Sequence, residues 1–160
     1  MTCLDPDRLV LVVVGAHLRA ELGDRPLAYR LADRLSNALA EHNGQAAPPD
    51  PGDDSDADES PAGLIALPCT DIWYLNNEPL QRRPAVSIGG PGVNALSAYL
   101  YERLPTALSI DDELVIQLDP AFDQTRAALW GIDSERTSAA VARFEERYLE
   151  DFVAAVVDAD

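Results

Sequence analysis

The run Leu-Val-Leu-Val-Val-Val at residues 9–14 limits the folds open to this chain more than any other segment. It is continuously apolar and rich in β-branched side chains, and Arg8 and Gly15 bound it. A strand that is apolar on both faces needs a covering layer on each face, which is the usual environment of a parallel sheet. Since 160 residues correspond to about one domain, we expect a single α/β domain over residues 1–160.

The rest of the chain alternates between strand patterns and helix patterns. Further strands are predicted at residues 64–67, 86–88, 107–110, 114–118 and 126–131. Helices are predicted over residues 26–42, 91–104 and 134–156. This order predicts a three-layer α/β sandwich with a mixed, mostly parallel sheet, helices on both faces and a late antiparallel hairpin made by the last two strands.

Residues 45–61 differ in composition from the segments on either side. They contain four prolines and six acidic residues but no large apolar side chain. This composition predicts a flexible acidic loop, because such a segment has little apolar surface to bury. A calcium loop is the alternative, but the 12-residue pattern with a central Gly and a closing Glu is not met. Binding of a partner by this loop is a further alternative.

The charge balance excludes some classes of partner. The chain has 28 acidic and 12 basic residues, all of the latter Arg, and a net charge of −16. Nucleic acids and anionic membranes both require a basic surface, so we expect neither as a partner. A saline cytoplasm and a GC-rich genome would each account for this composition. The start of the chain lacks the pattern of a signal peptide, which predicts a cytoplasmic location, and the two cysteines predict no disulfide framework.

A glycine-rich turn follows the strand predicted at residues 86–88. Gly89 and Gly90 would let a ligand approach the backbone, and the N–H groups of Gly92, Val93 and Asn94 could bind a phosphate or carboxylate. The spacing matches neither a P-loop nor a dinucleotide-binding fingerprint, and no Lys exists for the former. The alternative is a purely structural connection that needs Gly for its backbone and Pro to begin the helix.

The six residues Gly-Gly-Pro-Gly-Val-Asn at 89–94 resemble the Gly-Gly-Pro-x-x-Asn stretches of some prokaryotic surface-layer and cell-wall-binding proteins. The resemblance covers under a twentieth of the chain. It implies no role for any residue here, because those proteins are exported and this chain shows no export signal.

Several side chains that can act as acids, bases or nucleophiles follow predicted strands. If the first three strands are parallel, His17, Cys69, Asp71 and the turn at 89–94 emerge at one sheet edge, where open α/β sheets bind ligands. His17 and Asp71 are the predicted acid or base groups. Cys69 would be a nucleophile if its thiol were accessible and its pKa were lowered, or an inert buried side chain otherwise.

These observations favour a small-ligand-binding domain that holds an anionic or nucleotide-like molecule at residues 89–94. As an enzyme it would be a transferase or hydrolase; the sequence leaves its cofactor unknown and indicates no metal site. The acidic residues 111–113 fit a solvated turn better than a metal site. The alternative is a non-catalytic assembly subunit, either a homo-oligomer or a binder of another protein. It would use Trp73, Tyr74 and the C-terminal helix as its contact surface.

Overall fold

A six-stranded mixed sheet forms the centre of the fold in the computed structural model, which describes residues 4–44 and 63–160. Its strand order is β2-β1-β3-β6-β5-β4. The strands are β1 (Leu9–Val14), β2 (Ile65–Thr70), β3 (Ala85–Ile88), β4 (Thr106–Ile110), β5 (Leu114–Leu118) and β6 (Arg126–Gly131). The first four in the order are mutually parallel, and β5 and β4 continue the sheet in antiparallel fashion. The predicted α/β sandwich with its late antiparallel hairpin is therefore confirmed.

Helices cover both faces of this sheet. They are α1 (Leu18–His42), α2 (Asp71–Leu75), α3 (Glu78–Gln81), α4 (Ala95–Tyr101), α5 (Ser134–Arg147) and α6 (Leu149–Ala159). Alternate residues of β1 face different layers: Val12 packs in a core with α1, α5 and α6, whereas Leu11 and Val13 pack with residues of α2, α3 and α4. This two-sided burial explains why β1 is continuously apolar.

Helix α1 begins eight residues before the predicted start at Pro26. His17 caps it, because the His17 Nδ1 atom accepts a hydrogen bond from the Arg19 N–H at 3.2 Å. Pro26 lies inside the helix, where its missing N–H leaves the carbonyl of Leu22 without the usual donor. Pro26 and Leu22 are both exposed, so water can bond this carbonyl. The prediction failed because a proline that is tolerated within a helix has the same sequence signal as one that begins it.

Two further segments differ from the predicted elements. Residues 69–83, to which the sequence patterns assign no helix, contain the short helices α2 and α3. These helices are too short to produce a periodic pattern. The C-terminal helix divides at Tyr148 into α5 and α6. With this break, Phe144 and Phe152 both remain fully buried, and their rings meet edge to face at 5.8 Å.

The acidic loop predicted at residues 45–61 lies outside the described residues. Among the helices that the structure describes, none is long and apolar enough to cross a bilayer.

Candidate functional site

Three of the predicted site segments meet at one edge of the sheet. Strands β2, β1 and β3 are parallel, and Val14 at the end of β1 pairs with Thr70 on one side and with Ile88 on the other. The residues that follow these strands therefore emerge together, as the sequence predicts for parallel neighbours.

The Asp71 carboxylate joins the connections that follow these strands. Its Oδ1 atom accepts hydrogen bonds from the N–H groups of Ala16 at 2.9 Å and Ile72 at 2.8 Å. Its Oδ2 atom accepts from the N–H of Ala95 at 2.8 Å, in the first turn of α4. Asp71 is only 5% exposed. Its carboxylate thus links the β1–α1 turn, α2 and α4 by three charge-assisted hydrogen bonds.

The Asn94 side chain is engaged in a similar way. Its Nδ2 group donates to the carbonyls of Val13 at 3.1 Å and Ile88 at 2.9 Å. Its Oδ1 atom accepts from the N–H groups of Leu96 and Ser97 and so caps α4. Asn94 is 1% exposed, and two donor and two acceptor contacts use the hydrogen-bonding capacity of its amide. These contacts tie the glycine turn to the ends of β1 and β3.

Of the three N–H groups expected to bind an anion, those of Val93 and Asn94 have partners within the protein. Those of Val93 and Asn94 donate to the Gly90 carbonyl at 3.1 and 3.0 Å. The next N–H, that of Ala95, donates to Asp71. The start of α4 therefore does hold an anion, but the anion is the protein's own carboxylate. Helix α4 also has only seven residues, which limits the dipole available to a second anion.

His17 and Cys69 do not form a catalytic arrangement with each other or with Asp71. His17 is exposed, and its Nδ1 atom is engaged in capping α1. Burial raises the pKa of the Cys69 thiol to about 12, and the negative charge of Asp71 adds to this rise. A thiol with such a pKa carries almost no thiolate at neutral pH. The geometry favours the inert interpretation of Cys69 over the nucleophilic one.

A cleft of about 380 Å³ lies on the other side of the glycine turn, at the carboxyl ends of β3 and β6. Gly89, Gly90, Gly92 and Val93 form one wall. The opposite wall is residues 131–134 with Thr137, and Arg19 and Asp24 of α1 complete the lining. Four of the five predicted ligand-binding residues therefore line one cavity, whereas Asn94, His17 and Asp71 do not line it.

Glycines bring the elements around this cleft into close contact. A Cβ atom on Gly15 would overlap the backbone carbonyl of Val93, so the turn after β1 passes directly against the glycine turn. A Cβ atom on Gly131 would overlap the backbone of α5 at Arg136. Gly89 adopts a φ of 104°, a conformation that side chains disfavour. The cleft is consequently formed by backbone segments whose spacing depends on the absence of side chains.

Asp24 is the most unusual side chain of the cleft. It is 7% exposed, and its Oδ2 atom lies 2.6 Å from the position that a Cβ atom on Gly89 would take. Within residues 4–44 and 63–160, no hydrogen-bond donor or cationic group contacts this carboxyl group. Burial raises the pKa of Asp24 above its ordinary value. The Asp24 oxygens keep some contact with the cleft, since neither is among the fully buried side-chain atoms without a partner. A carboxyl group that has lost most of its contact with water is nevertheless energetically unfavourable, which makes it a candidate functional group.

Sequence reasoning missed Asp24, although a signal for it exists. The buried face of α1 includes Ala28, Leu31, Leu35 and Leu39. Asp24 continues this face one turn earlier. Because the helix was predicted to begin at Pro26, Asp24 lay outside the predicted helix. Its place on the buried face of α1 could therefore not be inferred from the sequence.

The remaining candidates form structural features. Asp111 and Asp112, both with positive φ, form the turn between β4 and β5, and Glu113 pairs with Arg136 at 3.2 Å. In the part of the chain that the structure describes, no three His, Cys, Asp or Glu side chains cluster so as to hold a metal ion. Tyr74 is buried at 1% exposure, whereas Trp73 is 44% exposed.

Comparison with known proteins adds no relative to this description. No protein-family model matches the chain, and no curated protein matches it with significant sequence similarity. We therefore infer function from the geometry of the cleft.

Proposed function

We propose that this chain is a small-molecule-binding domain whose site is the cleft between residues 89–93 and residues 131–137. The observation that carries the proposal is the Asp24 carboxyl group, which is 7% exposed at the edge of a glycine-lined cavity and has no hydrogen-bond partner among the described residues. The volume of about 380 Å³ lies at the lower end of the range for ligand pockets. The position outside the carboxyl ends of parallel strands is also where open α/β sheets bind ligands.

The rigid construction of the glycine turn supports binding. Asn94 fixes the turn to β1 and β3, and the Ser97 hydroxyl donates to the Gly89 carbonyl at 2.6 Å. A site that is already ordered loses little conformational entropy when a ligand enters, so more of the contact energy contributes to affinity.

The charges at the cleft favour a ligand other than the anion that the sequence predicts. Asp24 and Asp133 line it together with a single cationic residue, Arg19. The N–H groups of Val93 and Asn94 are engaged by Gly90. His17 and Asp71, the proposed acid or base groups, do not line the cleft. We therefore propose binding rather than catalysis, with no cofactor assigned.

Amide chemical shifts measured by NMR with a panel of small molecules test this proposal. The panel contains amines, amino acids, sugars, sugar phosphates, nucleotides and divalent metals. We expect at least one compound to shift the amides of residues 89–93 and 131–137. A ligand at 100 times its Kd should also raise the free energy of unfolding by about 2.7 kcal/mol.

A pair of variants at Gly92 provides the control. A Cβ atom at Gly92 meets no other atom within 4 Å, and its φ is not positive, so larger side chains are tolerated there. Gly92→Phe should occlude the cleft and abolish the shifts, whereas Gly92→Ala should preserve them. Binding that persists in Gly92→Phe, or shifts confined to other surfaces, would contradict the proposal.

An assembly role is the second candidate, and an exposed apolar patch supports it. Leu4, Ile72 and Trp73 are 54%, 58% and 44% exposed, and Leu4 and Trp73 line one apolar groove. The C-terminal helix contributes less than the sequence suggests, because Phe152 and Val156 of α6 are buried in the core of this chain. Sedimentation of the wild type and of Trp73→Ser tests this role. A mass above 17.3 kDa that falls to the monomer value in the variant would support it.

A further inference from the structure

We propose that Asp24 is the recognition group of the cleft and that it binds the primary ammonium group of a small polar molecule. This inference rests on the proposed binding function and specifies the chemistry of the ligand.

The Asp24 carboxyl group has an unusual environment. Asp24 has lost most of its contact with water, at 7% exposure, yet the protein supplies no donor in exchange among the residues described. In the same fold, the similarly buried Asp71 receives three N–H donors. The structure thus satisfies one buried carboxylate completely and leaves another open to a cavity. A ligand that donates to Asp24 would remove this unfavourable desolvation.

The charges around Asp24 favour a cationic ligand. A hydrogen bond between a carboxylate and an ammonium group is roughly twice as strong as one between neutral groups, and the advantage grows away from water. The cleft adds Asp133 to Asp24, although Asp133 also accepts from the backbone N–H of Arg136 at 2.8 Å and pairs with the Arg136 guanidinium at 3.6 Å. Arg19 is the one cation of the lining. The net charge of −16 further attracts cations to the molecule.

The cleft also offers space and neutral polar groups to the rest of a ligand. Gly89 places only a backbone CH₂ group beside the carboxyl group, and the Val93 side chain is the other neighbour at this point. Ser134 offers a hydroxyl group to the rest of a ligand, and Gly90 and Gly92 of the lining offer N–H groups. A polar molecule of the size of an amino sugar suits a cavity of about 380 Å³.

Three sugars that share a ring but differ in one group test the proposal. Glucosamine, glucose and glucuronate present an ammonium, a hydroxyl and a carboxylate group, and each is titrated while the amide shifts of residues 89–93 and 131–137 are followed. We expect glucosamine to bind in the cleft at least about tenfold more tightly than glucose, and glucuronate to bind most weakly. Asp24→Asn should abolish the preference for glucosamine.

Asp33→Asn is the matched control. Asp33 lies on the same helix and is exposed, so this variant removes the same charge without altering the cleft, and it should retain the preference. Equal binding of the three sugars in the cleft, or a preference that survives in Asp24→Asn, would overturn this inference and leave the proposed binding function intact. Failure of every panel compound and every sugar to shift the cleft amides would instead overturn the proposed function, and this inference with it.

Discussion

Two buried aspartates of this chain illustrate how the same side chain can have opposite roles. Asp71 follows β2 and accepts hydrogen bonds from the N–H groups of Ala16, Ile72 and Ala95. Asp24 is buried to a similar degree and faces a cleft, but no donor among the described residues contacts its carboxyl group. Hydrogen bonds to a charged group stabilise it by about 1.5–3 kcal/mol each, whereas a buried unsatisfied group is destabilising. We therefore expect substitution of the two residues to change stability in opposite directions.

Asp71→Asn should lower the free energy of unfolding by about 3 kcal/mol. An amide presents an NH₂ group where the carboxylate accepts, so at least one of the three backbone N–H groups loses its partner. Urea unfolding of the variant and of the exposed control Asp33→Asn measures the effect. Stability equal to that of the control would contradict the bridging role of Asp71.

Asp24→Asn should make the protein more stable at neutral pH, and the gain should depend on pH. Burial raises the pKa of Asp24 in the folded state, so the folded protein holds this proton more firmly than the unfolded chain does. The resulting destabilisation is absent below the unfolded pKa of about 3.9, develops as pH rises, and is complete above the folded pKa. The difference in unfolding free energy between variant and wild type should therefore grow as pH rises through about 3.9 and then level off above the folded pKa. A difference that is constant with pH would show that Asp24 is not desolvated.

At the scale of elements, the glycine turn is fixed by polar side chains rather than by apolar packing. Asn94 joins it to β1 and β3, and Ser97 bonds to both Ser87, at 2.7 Å, and the Gly89 carbonyl. These contacts explain how a segment with three glycines in residues 89–92 keeps one conformation. A side chain at Gly15 would displace the turn, because it would overlap the Val93 carbonyl.

Substitutions at Asn94 should separate its two contributions to the turn. Asn94→Ala removes the cap of α4 and leaves the carbonyls of Val13 and Ile88 without their amide donor, so we expect a loss of about 3 kcal/mol. Asn94→Ser keeps a capping oxygen and should recover about 1 kcal/mol of it. Thermal unfolding of both variants measures these values. Equal stability of the two would mean that the cap contributes nothing.

The strands of this fold could be predicted from sequence more fully than the helices or the site. Strands β1, β5 and β6 have the predicted bounds, because short apolar runs between polar residues are a local signal. The start of α1 was not predictable in the same way. The helix tolerates Pro26 because Leu22 is exposed in the folded protein, and this exposure is not a local sequence signal. The cleft was predicted only in part: Gly89–Val93 is a local pattern, whereas Asp24 and Thr137 join it only through the packing of α1 and α5.

At the scale of the whole molecule, charge repulsion opposes the fold. The chain carries 28 acidic residues against 12 arginines. Some of the arginine side chains form exposed ion pairs, such as Arg82 with Glu78 and Arg143 with Glu146. Exposed pairs of this kind contribute at most about 1 kcal/mol each. An excess of like charge destabilises a compact state more than an expanded one, so the stability of this protein should depend on the ionic strength around it.

Raising NaCl from about 0.05 M to about 1 M should raise the Tm of this protein, because the Debye length falls from more than 10 Å to about 3 Å and screens the repulsion between carboxylates. The same salt weakens the exposed ion pairs, but their small individual contributions make the net effect stabilising. Differential scanning calorimetry over this range measures the change, and sucrose at matched osmolality controls for the general exclusion of solutes from the protein surface. A Tm that falls with NaCl would mean that the ion pairs outweigh the repulsion. A Tm that rises equally in sucrose would mean that solute exclusion, rather than the charge of −16, explains the effect.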